Sequence, residues 1–317
     1  MKKLLPFIAL ALFLTGCATT VYTKVQRPAE LDLNGAKSIA VLPFHDDNIK
    51  EFSISLFSIS IASNSQNSEQ KEISSYATQN LTKIIAENGY YDLISSSVVE
   101  NAIKNGTDIP CDIYITGHID SFFSDVKQVA HTDTDSLGNT KTSYTFKKNV
   151  SYNITFEIIE AKTKKVIAYV SNRLCNNSLD YDSKSKLPRA LDLTRLNLDH
   201  ELSQINRKIQ PYTESVSYTL LETKDKNETM KQASSIAKTG NLDVARTIFE
   251  QLYNDTGIME AGYNAAILYE AMGNYAEAEK LMTKVAKTSG NAKAYTALSS
   301  IQSEIKKKER LEQQMAK

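Results

Sequence analysis

The chain has 317 residues, and at about 150 residues per domain that length favours two domains over one. Hydrophobic residues make up 41% and charged residues 23%, a soluble composition that sets aside the disordered, collagenous and polytopic membrane classes. Lys plus Arg and Asp plus Glu both number 37, with 3 Cys and 11 Gly. No net field draws such a chain onto nucleic acid, and neither a disulfide scaffold nor a glycine-rich phosphate cradle is expected.

The first predicted element is an export signal. Lys2 and Lys3 form a positive start, and Leu4 to Leu14 form an apolar run shorter than the roughly 20 helical residues that cross a bilayer. The run ends in Leu14-Thr15-Gly16-Cys17, which resembles a bacterial lipobox. The resemblance implies cleavage before Cys17, diacylglycerol on its sulfur and a third acyl chain (commonly palmitate) on its amine, and several chains together hold a protein stably on a membrane. Ala18 follows the cysteine where many enteric inner-membrane lipoproteins carry Asp, so the resemblance further implies the periplasmic face of the outer membrane in a Gram-negative envelope. Residues 17–317 carry 35 basic against 37 acidic side chains, so the mature chain is nearly neutral.

Residues 17–36 show no sustained period and are expected to form a lipidated tether with an extended entry segment. The folded part is expected to start at Lys37-Ser-Ile-Ala-Val-Leu-Pro-Phe44, a short apolar run of the kind buried on both faces of a sheet. Residues 69–88 place Ile73, Tyr76, Ala77, Leu81, Ile84 and Ile85 on one stripe, with Gly89 past the end, and predict an amphipathic helix. Tyr90–Ile94 reads as a strand, Ser96–Asn105 as a helix closed by Gly106, and Asp112–Ile119 as a third strand. Turns near 137–139 and 161–165 then separate strands over about 141–160 and 164–175, polar on one face. A helix follows Pro188 and ends before Pro211, and 212–222 suggest a last strand. The predicted class is α+β, a mixed sheet with flanking helices over 37–224, followed by an all-α region of tetratricopeptide repeats over 225–317.

The helical region repeats itself. Gly240-Asn-Leu-Asp-Val-Ala245-Arg-Thr-Ile-Phe249 aligns with Gly273-Asn-Tyr-Ala-Glu-Ala278-Glu-Lys-Leu-Met282 at an offset of 33 residues, close to the roughly 34 of tetratricopeptide repeats. Ala245, Ala266 and Ala278 are expected to let helices approach, and Gly273 to make the turn between them. Two such repeats need a cap, expected over 291–317. In repeats of this kind the first helix of each pair lines a concave groove. Tyr263, Ile267 and Glu270, with Met230 and Ser234 in the earlier copy, are therefore the expected contacts for another envelope protein.

Residues 37–222 resemble the fold shared by the curli secretion lipoproteins, the lipoprotein activators of penicillin-binding proteins and the N-terminal domain of the periplasmic protein of the Tol system. The matching stretches are Ser38–Phe44, Gly89-Tyr-Tyr-Asp-Leu-Ile94 and Cys111-Asp-Ile-Tyr-Ile-Thr-Gly-His118. Together with the repeats, the pattern looks similar to a group of envelope lipoproteins. A curli-type relation would imply an oligomeric secretion pore. The candidate barrel strand, Phe52–Ile61, slips phase at 56–57 and is a single strand rather than the hairpins a barrel needs, and the 121–145 hairpin carries Asp125, Lys127, His131, Asp133, Asp135 and Lys141, too polar for a lipid face.

No catalytic set is expected. His45-Asp46-Asp47 follows a strand end, where a metal-dependent hydrolase could hold its ion, but no further histidine or nucleophile stands at a useful spacing. Asp133-x-Asp135-x-x-Gly138 lacks the carboxylate a calcium loop needs at its twelfth position, Tyr144. No metal or cofactor is expected. Cys111 and Cys175 form an even pair in an oxidising compartment, yet a meander would hold them at opposite ends of the sheet, beyond disulfide reach.

Overall fold

The computed structural model describes residues 19–33, 35–46, 68–225 and 227–316. Its strands are β1 (Thr20–Arg27), β2 (Ser38–Val41), β3 (His45–Asp46), β4 (Asp92–Leu93), β5 (Ile113–Thr134), β6 (Thr140–Glu160), β7 (Lys165–Asn177) and β8 (Tyr212–Thr219). Its α-helices are α1 (Ser68–Asn88), α2 (Ser96–Asn105), α3 (Ala190–Ile209), α4 (Glu228–Lys238), α5 (Leu242–Thr256), α6 (Met259–Ala271), α7 (Tyr275–Ser289) and α8 (Ala292–Met315). The chain divides into two compact units: Ala29–Pro211, and residues up to Pro28 together with Tyr212–Ala316.

In the α/β unit the sheet order is β4-β2-β5-β6-β7. β2 pairs in parallel with β4 and β5, whereas β5, β6 and β7 form an antiparallel meander. The apolar run of β2 is buried on both faces as the sequence predicts. Ile39 and Val41 join the core under α1 and α3, while Ala40 and Leu42 join Val99 of α2 on the other side. Asp112 fixes the start of this pairing, accepting from the backbone N–H groups of Lys37 and Ser38 at 2.8 and 2.9 Å and from the Ser38 hydroxyl at 2.9 Å. Burial pushes its carboxyl up, but those bonds outweigh it and hold it below the usual range.

Gly117 explains one position of the 111–118 stretch. A Cβ there would stand 2.6 Å from the Thr155 carbonyl oxygen and 3.0 Å from the Phe44 ring, which itself meets Phe156 edge-on at 5.4 Å. Only glycine lets β5 and β6 close over that ring. β5 runs far past the expected end at Ile119, because its polar continuation pairs with β6 out to Thr134↔Thr140 after an irregularity between Asp120 and Phe123. At the tip, Asp135 accepts from the N–H groups of Leu137 and Asn139 and Gly138 takes φ +82°. The acidic pattern there builds a hairpin turn.

In the second unit each of α4 to α8 lies against the next, and α8 also meets α6. The sequence offset recurs in the backbone: Gly240 and Gly273 hold φ +88° and +79°, and Gly257 and Gly290 hold +72° and +62°, each 33 residues after its counterpart. Ala245, Ala266 and Ala278 are fully buried between helices. Gly262 makes the closest approach, since a Cβ there would meet Val285 at 2.6 Å and Tyr253 at 2.7 Å.

Two expectations are corrected. The supposed tether 17–36 contains β1, and the expected boundary at 224 separates β8 from the unit that contains its partner. β1 and β8 pair antiparallel from Thr20↔Thr219 to Arg27↔Tyr212, and this ribbon belongs with the helices. The physical cause is backbone pairing between distant segments whose inward side chains include Thr23 and Arg27, too polar to register as a buried strand. The 52–61 segment and the lipobox Leu14, Thr15, Gly16 and Cys17 lie outside the described residues.

Candidate functional site

The ribbon determines what remains of the expected groove. β1 lies against α4 and α8, and β8 against α6. Val21, Tyr218 and Leu220 enter the same apolar cluster as Met230, Ala233, Ile267 and Ile301. Met230, Ser234, Ile267 and Glu270 are accordingly buried and Tyr263 is partly buried. The five residues expected to meet a partner instead lie in or against the unit's own core, because the chain's own ribbon occupies the face they line. Asn264, which the sequence does not single out, locks the ribbon's exit. Its carboxamide oxygen accepts from the Leu221 N–H at 2.7 Å and its NH2 donates to the Leu221 carbonyl at 2.9 Å, with the side chain fully buried.

At the Arg27 end the cover is incomplete. A cleft of about 310 Å³ opens between β1, the turn joining α6 to α7, and α8, with Lys24, Arg27, Tyr275, Glu304 and Lys308 in its wall. Arg27 is buried and donates from Nε to Glu214 and from Nη1 to Glu304. Burial disfavours its charge, but the bonds to Glu304 and Glu214 more than compensate and hold it protonated. Glu304 also accepts from Lys307 at 2.8 Å. Burial pushes its carboxyl up, and the bonds from Lys307 and Arg27 bring it below the usual range.

Glu270 is the exception in this cluster. Burial, then the nearby charge of Glu304, push its carboxyl up to about 7 against the opposing pull of Arg27 and Lys307. The Tyr218 hydroxyl, buried and without a hydrogen-bond partner among the described residues, is raised by burial and by Glu270, Tyr275 and Glu304. The cluster thus holds one proton that comes off near neutrality, while Lys24 and Lys308 stand exposed on the rim. The cleft can seat a short polar segment, with the cations Lys24 and Lys308 at its mouth.

The other residues singled out lie apart from it. His45 is exposed on β3, in register with His118 of β5, and among the described residues no three His, Cys, Asp or Glu side chains gather as a metal site. Cys111 is buried, its thiol pushed up to about 11 by burial and then by Asp112, whereas Cys175 is exposed. Both are free, and Cys175 is opposite Ser151, which pairs with Phe123, far along β5 from Ile113. Among the described residues no helix is long and apolar enough to cross a membrane.

No protein-family model matches this chain, and no curated protein matches it. Solved structures align with the fold at low similarity. The PelC dodecamer from Paraburkholderia phytofirmans is 12% identical over 58% of this chain and 96% of its own, with a TM-score of 0.26. Protein CT253 from Chlamydia trachomatis is 13% identical over 54% of this chain and 95% of its own, with a TM-score of 0.28. Lipoprotein GNA1162 from Neisseria meningitidis is 11% identical over 55% of this chain and 97% of its own, with a TM-score of 0.25. The reading of the site therefore stands on its own geometry.

Proposed function

We propose that this chain is a lipid-anchored cell-envelope protein, held at the periplasmic face of the outer membrane, that acts without catalysis as a protein-interaction adaptor. The observation that carries the reading is Leu14-Thr15-Gly16-Cys17 directly ahead of the fold. In this reading α4–α5 and α6–α7 are tetratricopeptide-like pairs and α8 is their cap. The recurrence of the turn glycines at one offset supports it, as does the burial of alanine at the helix contacts. The concave face serves the chain's own ribbon, and the partner's seat is the cleft at Arg27, where a short segment turns a carboxylate or backbone carbonyls toward Lys308.

A photo-crosslinking residue at Lys308 tests this in intact cells. One discrete adduct is expected, with none from the same probe at the exposed Lys287 on α7. The same set of adducts from both positions, or none from either, refutes the cleft as the seat.

A further inference from the structure

The geometry points to the outer face of the β1–β8 ribbon as a membrane-contact surface that lies on the phospholipid headgroups. This inference rests on the lipid-anchor reading and adds to it where the folded protein touches the bilayer.

Reach limits where the ribbon can stand. Thr19 is buried and its carbonyl accepts from the Leu220 N–H at 2.8 Å, so the ordered pairing begins two residues after Cys17. At no more than about 3.6 Å per residue, those two residues span about 7 Å, and Tyr22 lies within about 18 Å of Cys17. Acyl chains on Cys17 would therefore leave the ribbon no tether with which to stand clear of the surface.

The chemistry of the face suits a headgroup layer. Tyr22, Lys24 and Gln26 alternate outward from β1, with Ser217 and Ser215 opposite the first two on β8. Tyr22 is 71% exposed. Tyrosine is favoured at the membrane interface because an apolar ring carries a polar tip, and lysine lays its stem on apolar matter while its ammonium meets phosphate. The ribbon's acidic residue, Glu214, is engaged by Arg27 on the inner side, so no carboxylate on the ribbon's outer face opposes an anionic surface.

The chain contains no tryptophan, so Tyr22→Trp supplies a sole indole reporter at an exposed position. The lipidated full chain carrying it is reconstituted on vesicles of phosphatidylethanolamine and phosphatidylglycerol with brominated acyl chains. The proposal expects the protein to float with the vesicles. It also expects the indole emission to shift to the blue and lose half or more of its intensity to the bromine, relative to the Cys17→Ser form of the same protein. Adding Lys24→Glu should reduce that quenching at least twofold. Flotation with an unshifted, unquenched indole overturns the contact surface and leaves the anchor standing. Failure of the acylation-competent protein to float overturns both.

Discussion

Glu270→Gln removes a buried carboxyl that titrates near neutrality while keeping its size. In the folded protein that group sits at about 7 rather than 4.5. At about 1.4 kcal/mol per pH unit this corresponds to about 3 kcal/mol. A raised folded value sets the sign. The stabilising contribution of the proton is complete below about pH 4.5, shrinks as pH rises through 7, and is gone above. The wild type should therefore lose stability over that window relative to the variant, whose amide never ionises. Glu304 and Asp112, held low, lose stability as pH falls in both proteins, so the difference between the two profiles isolates Glu270. Urea denaturation from pH 4 to 8.5 reads it, with Tyr295→Trp on α8 in both backgrounds to report on the helical unit. Stabilities that differ by a constant amount across the whole range refute the buried, charge-coupled placement of Glu270.

Asn264→Leu should cost about 2–3 kcal/mol in the same assay, because both polar groups of Leu221 lose their buried partner; a change below about 0.5 kcal/mol contradicts the lock. Gly117→Ala should destabilise the α/β unit by about 1–3 kcal/mol, since the Thr155 backbone cannot give way as a flexible side chain would. An unchanged urea midpoint for that unit refutes the close approach. Arg27→Met should cost about 3–5 kcal/mol, because it leaves Glu214 and Glu304 without their shared cation. Charge-neutral Arg27→Met/Glu304→Gln should recover part of that loss, and no recovery speaks against the pairing.

Much of the fold was legible because local pattern and burial agree. The stripe from Ile73 to Ile85 is the buried face of α1, and the unbroken apolar run of β2 marks a strand with helices on both sides. The meander was legible from alternation in β6 and β7, but the length of β5 was not: beyond Ile119 it is held by backbone pairing, which leaves no apolar trace at Asp125 or Lys127. Strand β8 was legible, but its pairing with β1 was not, for a related reason. β1 turns Val21, Thr23, Val25 and Arg27 inward, and Arg27 is tolerated there only because Glu214 and Glu304, distant in sequence, meet it. The partner-facing residues failed with it. Tyr263, Ile267 and Glu270 were legible as a helix face, but nothing local says that the chain's own first strand covers that face. Asn264 was equally silent, since its role depends on a single backbone position across the unit.

Intact mass measurement of the mature N-terminal peptide from cell membranes reads the state of Cys17 directly. A peptide starting at Cys17, with a diacylglyceryl thioether and an amide-linked acyl chain, is the predicted result. A mature chain that begins elsewhere, or that carries an unmodified thiol at Cys17, contradicts it.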